Sequence, residues 1–106
     1  KAIPENHMEF LKALAFYEIV GDYLFVHAGI DPDKSLEDQD EDDLITIREP
    51  FLNSTQKLPI CVVHGHSISP DPDIRLSRIG IDTGAFETGV LTCAVLESNQ
   101  RRFLQT

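Results

Sequence analysis

Apolar residues in this chain recur first at helical spacing and later in short runs of strand length. Pro4-Glu5 opens a helix, with Pro at an early position where its missing N–H costs nothing and Glu in the first turn. Phe10, Leu11, Leu14 and Ala15 then fall on one face, which is expected to pack. Val20-Gly21-Asp22 reads as a turn, so Phe16 to Val20 and Tyr23 to His27 form a β-hairpin. The run Tyr23-Leu24-Phe25-Val26 is continuously apolar, which predicts a strand covered on both faces.

Asp40 to Asp43 place carboxylates ahead of Leu44-Ile45, where they favour a helix N-terminus, and Pro50 kinks or ends that helix. A polar loop, Asn53 to Pro59, leads into a second buried strand, Ile60 to Val63, which ends at His64-Gly65-His66-Ser67. Ser69 to Asp73 is a Pro/Asp-rich loop. Arg75 to Ile81 alternates weakly and closes on Asp82-Thr83-Gly84. Gly89 to Leu96 and Arg101 to Leu104 flank a hairpin turn at Ser98-Asn99-Gln100. Helices early and strands late predict an α/β fold.

Size and charge narrow the function classes. At 106 residues the chain has room for one small domain and no more, and 42% hydrophobic residues allow it a packed core. No apolar run approaches the roughly 20 residues of a membrane span. A net charge of −9 disfavours nucleic acid as a partner. The acidic run Glu37 to Asp43 is read as a solvated loop or helix start. Cys61 and Cys93 sit in strand-like apolar runs without zinc or redox spacing, and read as buried thiols of a reducing, cytoplasmic setting, with a disulfide as the lesser alternative. The chain begins with Lys and opens directly into helix-like sequence, so it is expected to be a piece of a longer protein.

Two strands end in His followed closely by Gly, at His27 and at His64-Gly65-His66. Strand ends hold ligands rigidly, and Gly lets backbone approach a metal or phosphate. On these grounds alone, metal ligation and an ordinary structural role are evenly balanced. Asp82 is read first as a turn residue capping backbone N–H groups. Arg48 has two readings: an ion-pair partner of Asp42, Asp43 or Glu49, or a fork gripping phosphate oxygens. His7, near the start of the first helix, is read as structural.

Val26-His27-Ala28-Gly29, Asp43-Leu44-Ile45-Thr46-Ile47-Arg48-Glu49, Val63-His64-Gly65-His66-Ser67 and Ile81-Asp82-Thr83-Gly84 occur in that order. The set resembles the C-terminal half of bacterial-type serine/threonine protein phosphatases of the calcineurin-like metallophosphoesterase superfamily, from Pro4 through Leu104. Symmetrical diadenosine tetraphosphatases share much of the pattern. The resemblance implies an α/β sandwich of two mixed sheets with flanking helices, of which residues 1–106 are one partial domain. It implies His27 and His66 as metal ligands and Arg48 as the phosphate-binding residue, and carries no ligand role onto His64. It implies two divalent cations, manganese first with iron or zinc as alternatives, and hydrolysis of phosphoserine or phosphothreonine in a phosphoprotein or phosphopeptide by metal-activated water. Ser67 stands where the family often has Thr.

The family's earlier motifs, of the GDxHG, GDxxDRG and GNHE type, do not occur in the chain. They carry further ligands and the general acid. The chain alone is therefore expected to be inactive, and to self-associate or to require its N-terminal half. A non-catalytic binding domain that kept the fold is the reading outside enzymology.

Overall fold

The computed structural model describes residues 2–106. Five strands, β1 (Tyr17–Val20), β2 (Tyr23–Val26), β3 (Cys61–His64), β4 (Asp73–Ile74) and β5 (Arg78–Gly80), form one sheet in the order β1-β2-β3-β5-β4. β1 and β2 are the expected hairpin, turned by Gly21 at φ 59°. β2, β3 and β5 are parallel neighbours, and β4 adds antiparallel to β5. Parallel strands need long crossovers. Between β2 and β3 the chain supplies α2 (Glu41–Thr46) and α3 (Glu49–Leu52). α1 (Glu5–Lys12) precedes the sheet, and α4 (Ala85–Thr88) follows it. β6 (Thr92–Glu97) and β7 (Gln100–Gln105) pair separately as an antiparallel hairpin. The fold is thus mixed α/β around a mixed sheet. Among the described residues the sheets are this five-stranded mixed one and the two-stranded hairpin.

The core lies where α2 and α3 cover the sheet. Leu44, Ile47 and Phe51 pack with Leu24, Val62, Ala28 and Ile30. Gly29 is required by this packing, because a Cβ there would stand 2.3 Å from the Phe51 ring. Gln39 ties down the segment after β2: its Nε2 donates to the Asp31 carbonyl at 2.9 Å, and its Oε1 accepts from the Asp31 N–H at 2.7 Å. Glu37, Asp38 and Asp40 to Asp42 are exposed, as a solvated acidic run should be.

Four local expectations are corrected. α1 buries no residue: Phe10 and Leu11 on its apolar face are exposed, and so is Leu14 just beyond its end. In β2, Leu24 alone is fully buried, because the helices cover one face of the sheet. Cys93 is exposed and Cys61 half-buried, both as free thiols. The helix breaks at Ile47 and Arg48 rather than at Pro50, which sits in the first turn of α3 where its ring is tolerated. No helix among the described residues is long and apolar enough to cross a membrane.

Candidate active site

The parallel register delivers three chain segments to one edge of the sheet. Val26 pairs with His64, and His64 with Gly80, so the residues after β2, β3 and β5 emerge side by side. Backbone hydrogen bonds continue past the strands. The Gly65 N–H donates to the His27 carbonyl at 2.8 Å, and the Ile81 N–H to the His64 carbonyl at 2.9 Å. His27 and His66 therefore meet, with ring centroids 5.1 Å apart and planes tilted by 58°. Together with Asp82 and Thr83 they line a cavity of about 430 Å³.

His66 carries two unusual features. Its Nε2 is buried and has no hydrogen-bond partner. Its backbone is left-handed, at φ 64°, which is uncommon outside glycine. Desolvation, followed by the Arg48 and His27 charges, pushes its pKa below the ordinary histidine value, against the Thr46 backbone and Asp82. A neutral imidazole with a free lone pair is what metal ligation requires. Among the described residues no group of three or more His, Cys, Asp or Glu could hold a metal ion. The residues present thus fit part of a coordination shell, with two imidazoles and one orphaned nitrogen.

Arg48 stands at the corner between α2 and α3, with φ −131° and ψ −96°. Its side chain is exposed, and Nη1 lies 3.4 Å from Ser67 Oγ, a long and weak donation. None of the ion pairs among the described residues includes it. Glu49, one of the carboxylates considered as its partner, instead accepts from Asn53 Nδ2 at 2.7 Å. The guanidinium thus keeps its donors available beside the histidine pair.

His64 faces elsewhere. It is 2% exposed, lies edge-on to Phe51 and sits 3.0 Å from Arg78 Nη1 through Nε2. Arginine can only donate, so Nε2 accepts and Nδ1 carries the proton. Nδ1 then donates to the Gly65 carbonyl at 3.0 Å. Burial pushes the His64 pKa down, with the Gly65 carbonyl opposing and the nearby Arg78 charge adding to the fall. Asp82 does cap its turn, with Oδ1 accepting from the Gly84 N–H at 3.0 Å.

Two residues escaped the sequence reading. Thr83 is buried and bonds through Oγ1 to the Val90 carbonyl at 2.6 Å and to Thr92 Oγ1 at 2.8 Å, joining this edge to the β6–β7 hairpin. Arg78 is 5% exposed, although an Arg in a weakly alternating stretch looks like a surface residue. Arg78, His64 and Asp73 come from three different strands, and no spacing in the sequence links them.

No family model and no curated protein sequence matches the chain. One solved structure with a similar fold is described as that of a "putative diadenosine tetraphosphatase", with a TM-score of 0.79 and 22% sequence identity. The match covers 98% of this chain and 56% of that one, so the chain spans little more than half the length of its structural neighbour. What the likeness shows is the fold: the chain is built like a long stretch of that protein.

Proposed function

We propose that this chain is the C-terminal part of a metal-dependent phosphoesterase of the calcineurin-like kind. The observation that carries the reading is the buried, unpartnered Nε2 of His66 beside the His27 ring at adjacent strand ends. His27 and His66 would hold divalent metal, manganese first, with iron or zinc as alternatives, while other ligands come from outside the chain. Bound metal would supply charge neutralisation on the phosphoryl group and acidify water. Arg48 would clamp non-bridging phosphate oxygens with its planar fork.

Two substrate classes fit this chemistry. The ordered motifs resemble those of protein phosphatases, which favours phosphoserine and phosphothreonine in proteins. The description of the solved neighbour favours diadenosine tetraphosphate instead. Assaying the full-length protein on a phosphopeptide and on diadenosine tetraphosphate side by side separates them. Turnover of neither, with no bound metal, would support a binding domain and sink the enzymatic reading. The 106 residues alone should not turn over p-nitrophenyl phosphate with added manganese, because two imidazoles do not make a two-metal site. Turnover at rates typical of an intact enzyme would overturn the assignment as a partial domain.

Arg48 offers a direct check on the clamp. Arg48→Ala in the full-length protein should reduce kcat/KM by about 10- to 150-fold, the equivalent of about 1.5–3 kcal/mol for a charge-assisted hydrogen bond. Arg48→Lys should also be impaired, since it keeps the charge but loses the fork. Metal content should stay near the wild-type value in both. A fall in melting temperature with unchanged specific activity would make Arg48 a structural residue.

A further inference from the structure

His66 owes its position to an arrangement lying outside the metal and phosphate residues. The Ser67 N–H donates to the Gly65 carbonyl at 2.7 Å, two residues back, while His66 between them has φ 64°. That is a γ-turn of the left-handed kind, which is rare and strained. Strain of this type costs about 1–3 kcal/mol and persists where the surroundings over-determine it.

The surroundings are a chain of polar groups that runs from the buried His64 and Arg78 to the half-buried Asp73. The Gly65 carbonyl that closes the turn also accepts from His64 Nδ1 at 3.0 Å. His64 Nε2 accepts from Arg78 Nη1 at 3.0 Å. Arg78 Nη2 donates in turn to Asp73 Oδ2 at 2.9 Å and to the Leu52 carbonyl at 3.2 Å. Phe51 closes one side, edge-on to His64 and with the Arg78 guanidinium 5.8 Å from its ring centre. Gly80 closes another, where a Cβ would stand 3.2 Å from His64 Cε1. Every donor direction in the series is forced, because the guanidinium cannot accept and a carbonyl cannot donate.

We propose that Asp73, Arg78 and His64 are positioning residues, a relay that fixes the Gly65 carbonyl and so holds the strained turn aiming His66 across His27. The relay touches neither substrate nor metal and acts through the backbone of the ligand. In its metal consequence it rests on the reading of His66 as a ligand. The turn itself can be measured without metal.

The test compares His64→Phe, which keeps a ring but removes the donor to Gly65, with His64→Asn, whose amide reproduces the donor at the δ position. Both are made in the full-length protein. Manganese affinity is read from the electron spin resonance of free Mn²⁺, and hydrogen exchange of the Ser67 amide is read without metal. His64→Phe should bind Mn²⁺ about 10- to 100-fold more weakly, as expected when support of a ligand is lost, and His64→Asn should recover only part of that loss, since its amide returns the donor to Gly65 but not the acceptor for Arg78. Ser67 exchange should be faster in His64→Phe and slowed again in His64→Asn. If His64→Phe binds Mn²⁺ as tightly as the wild type, or His64→Asn restores nothing, the relay is refuted and the metal reading stands. If the wild type binds no Mn²⁺, the metal reading fails, and unchanged Ser67 exchange in His64→Phe would then overturn the relay by itself. Should His64→Phe not fold, Asp73→Asn, which loosens Arg78 from the far end, gives the same two readings with the same expected directions.

Discussion

Phe51→Ala should lower the free energy of unfolding by about 3–5 kcal/mol, the range for deleting a fully buried aromatic ring. Phe51 is 2% exposed and is the largest side chain in the core. Its ring fills the space that Gly29 leaves open and packs against His64. α3 is four residues long, too short to be helical without docking. The ring is therefore what holds this segment, and Arg48 at its start, against the sheet. Urea unfolding of wild type and variant measures the loss, and a change below about 1 kcal/mol would mean that the neighbours collapse into the cavity or that α3 does not dock. Gly29→Ala should also be severely destabilising alone, because its Cβ meets the same ring. In the Phe51→Ala background most of that penalty should vanish, since the two residues share one space.

His66→Gly should move stability and function in opposite directions. His66 holds a left-handed backbone and an unpartnered buried nitrogen, and both weaken the metal-free fold. Relief of the backbone strain, about 1–3 kcal/mol, exceeds the roughly 0.4–1 kcal/mol that glycine costs through the unfolded chain. The metal-free variant should thus melt no lower than wild type. In the full-length protein it should lose metal and phosphoesterase activity together, by more than the roughly 100-fold that marks the upper range for an outer-shell partner. His27→Ala should show the same joint loss. Metal analysis, kinetics and melting on the same preparations decide the matter. A His66→Gly protein that keeps its metal and its activity would remove His66 from the site, whatever its melting temperature.

The parts of this protein that the amino-acid pattern determines are those set by near neighbours. Gly21 between two apolar runs makes the β1–β2 hairpin, because glycine takes the left-handed turn without strain. Ser98-Asn99 turns β6 into β7 for a related local reason, and Asp40 to Asp43 start α2 through their charges. His27, His66 and Arg48 could be named because they stand at the ends of apolar runs in a recognisable order. Tertiary structure decided what depends on distant segments. It placed β5 beside β3 and so brought Arg78 under His64, a pairing that no local spacing encodes. It left the apolar face of α1 exposed, since periodicity marks a face that packs well but does not supply its partner. It also separated two histidines that alternation would have put on one face. β3 ends at His64, whose ring is buried against Phe51, and the positive-φ backbone at His66 beyond the strand end sets the second ring against His27, because strand alternation stops where the strand does.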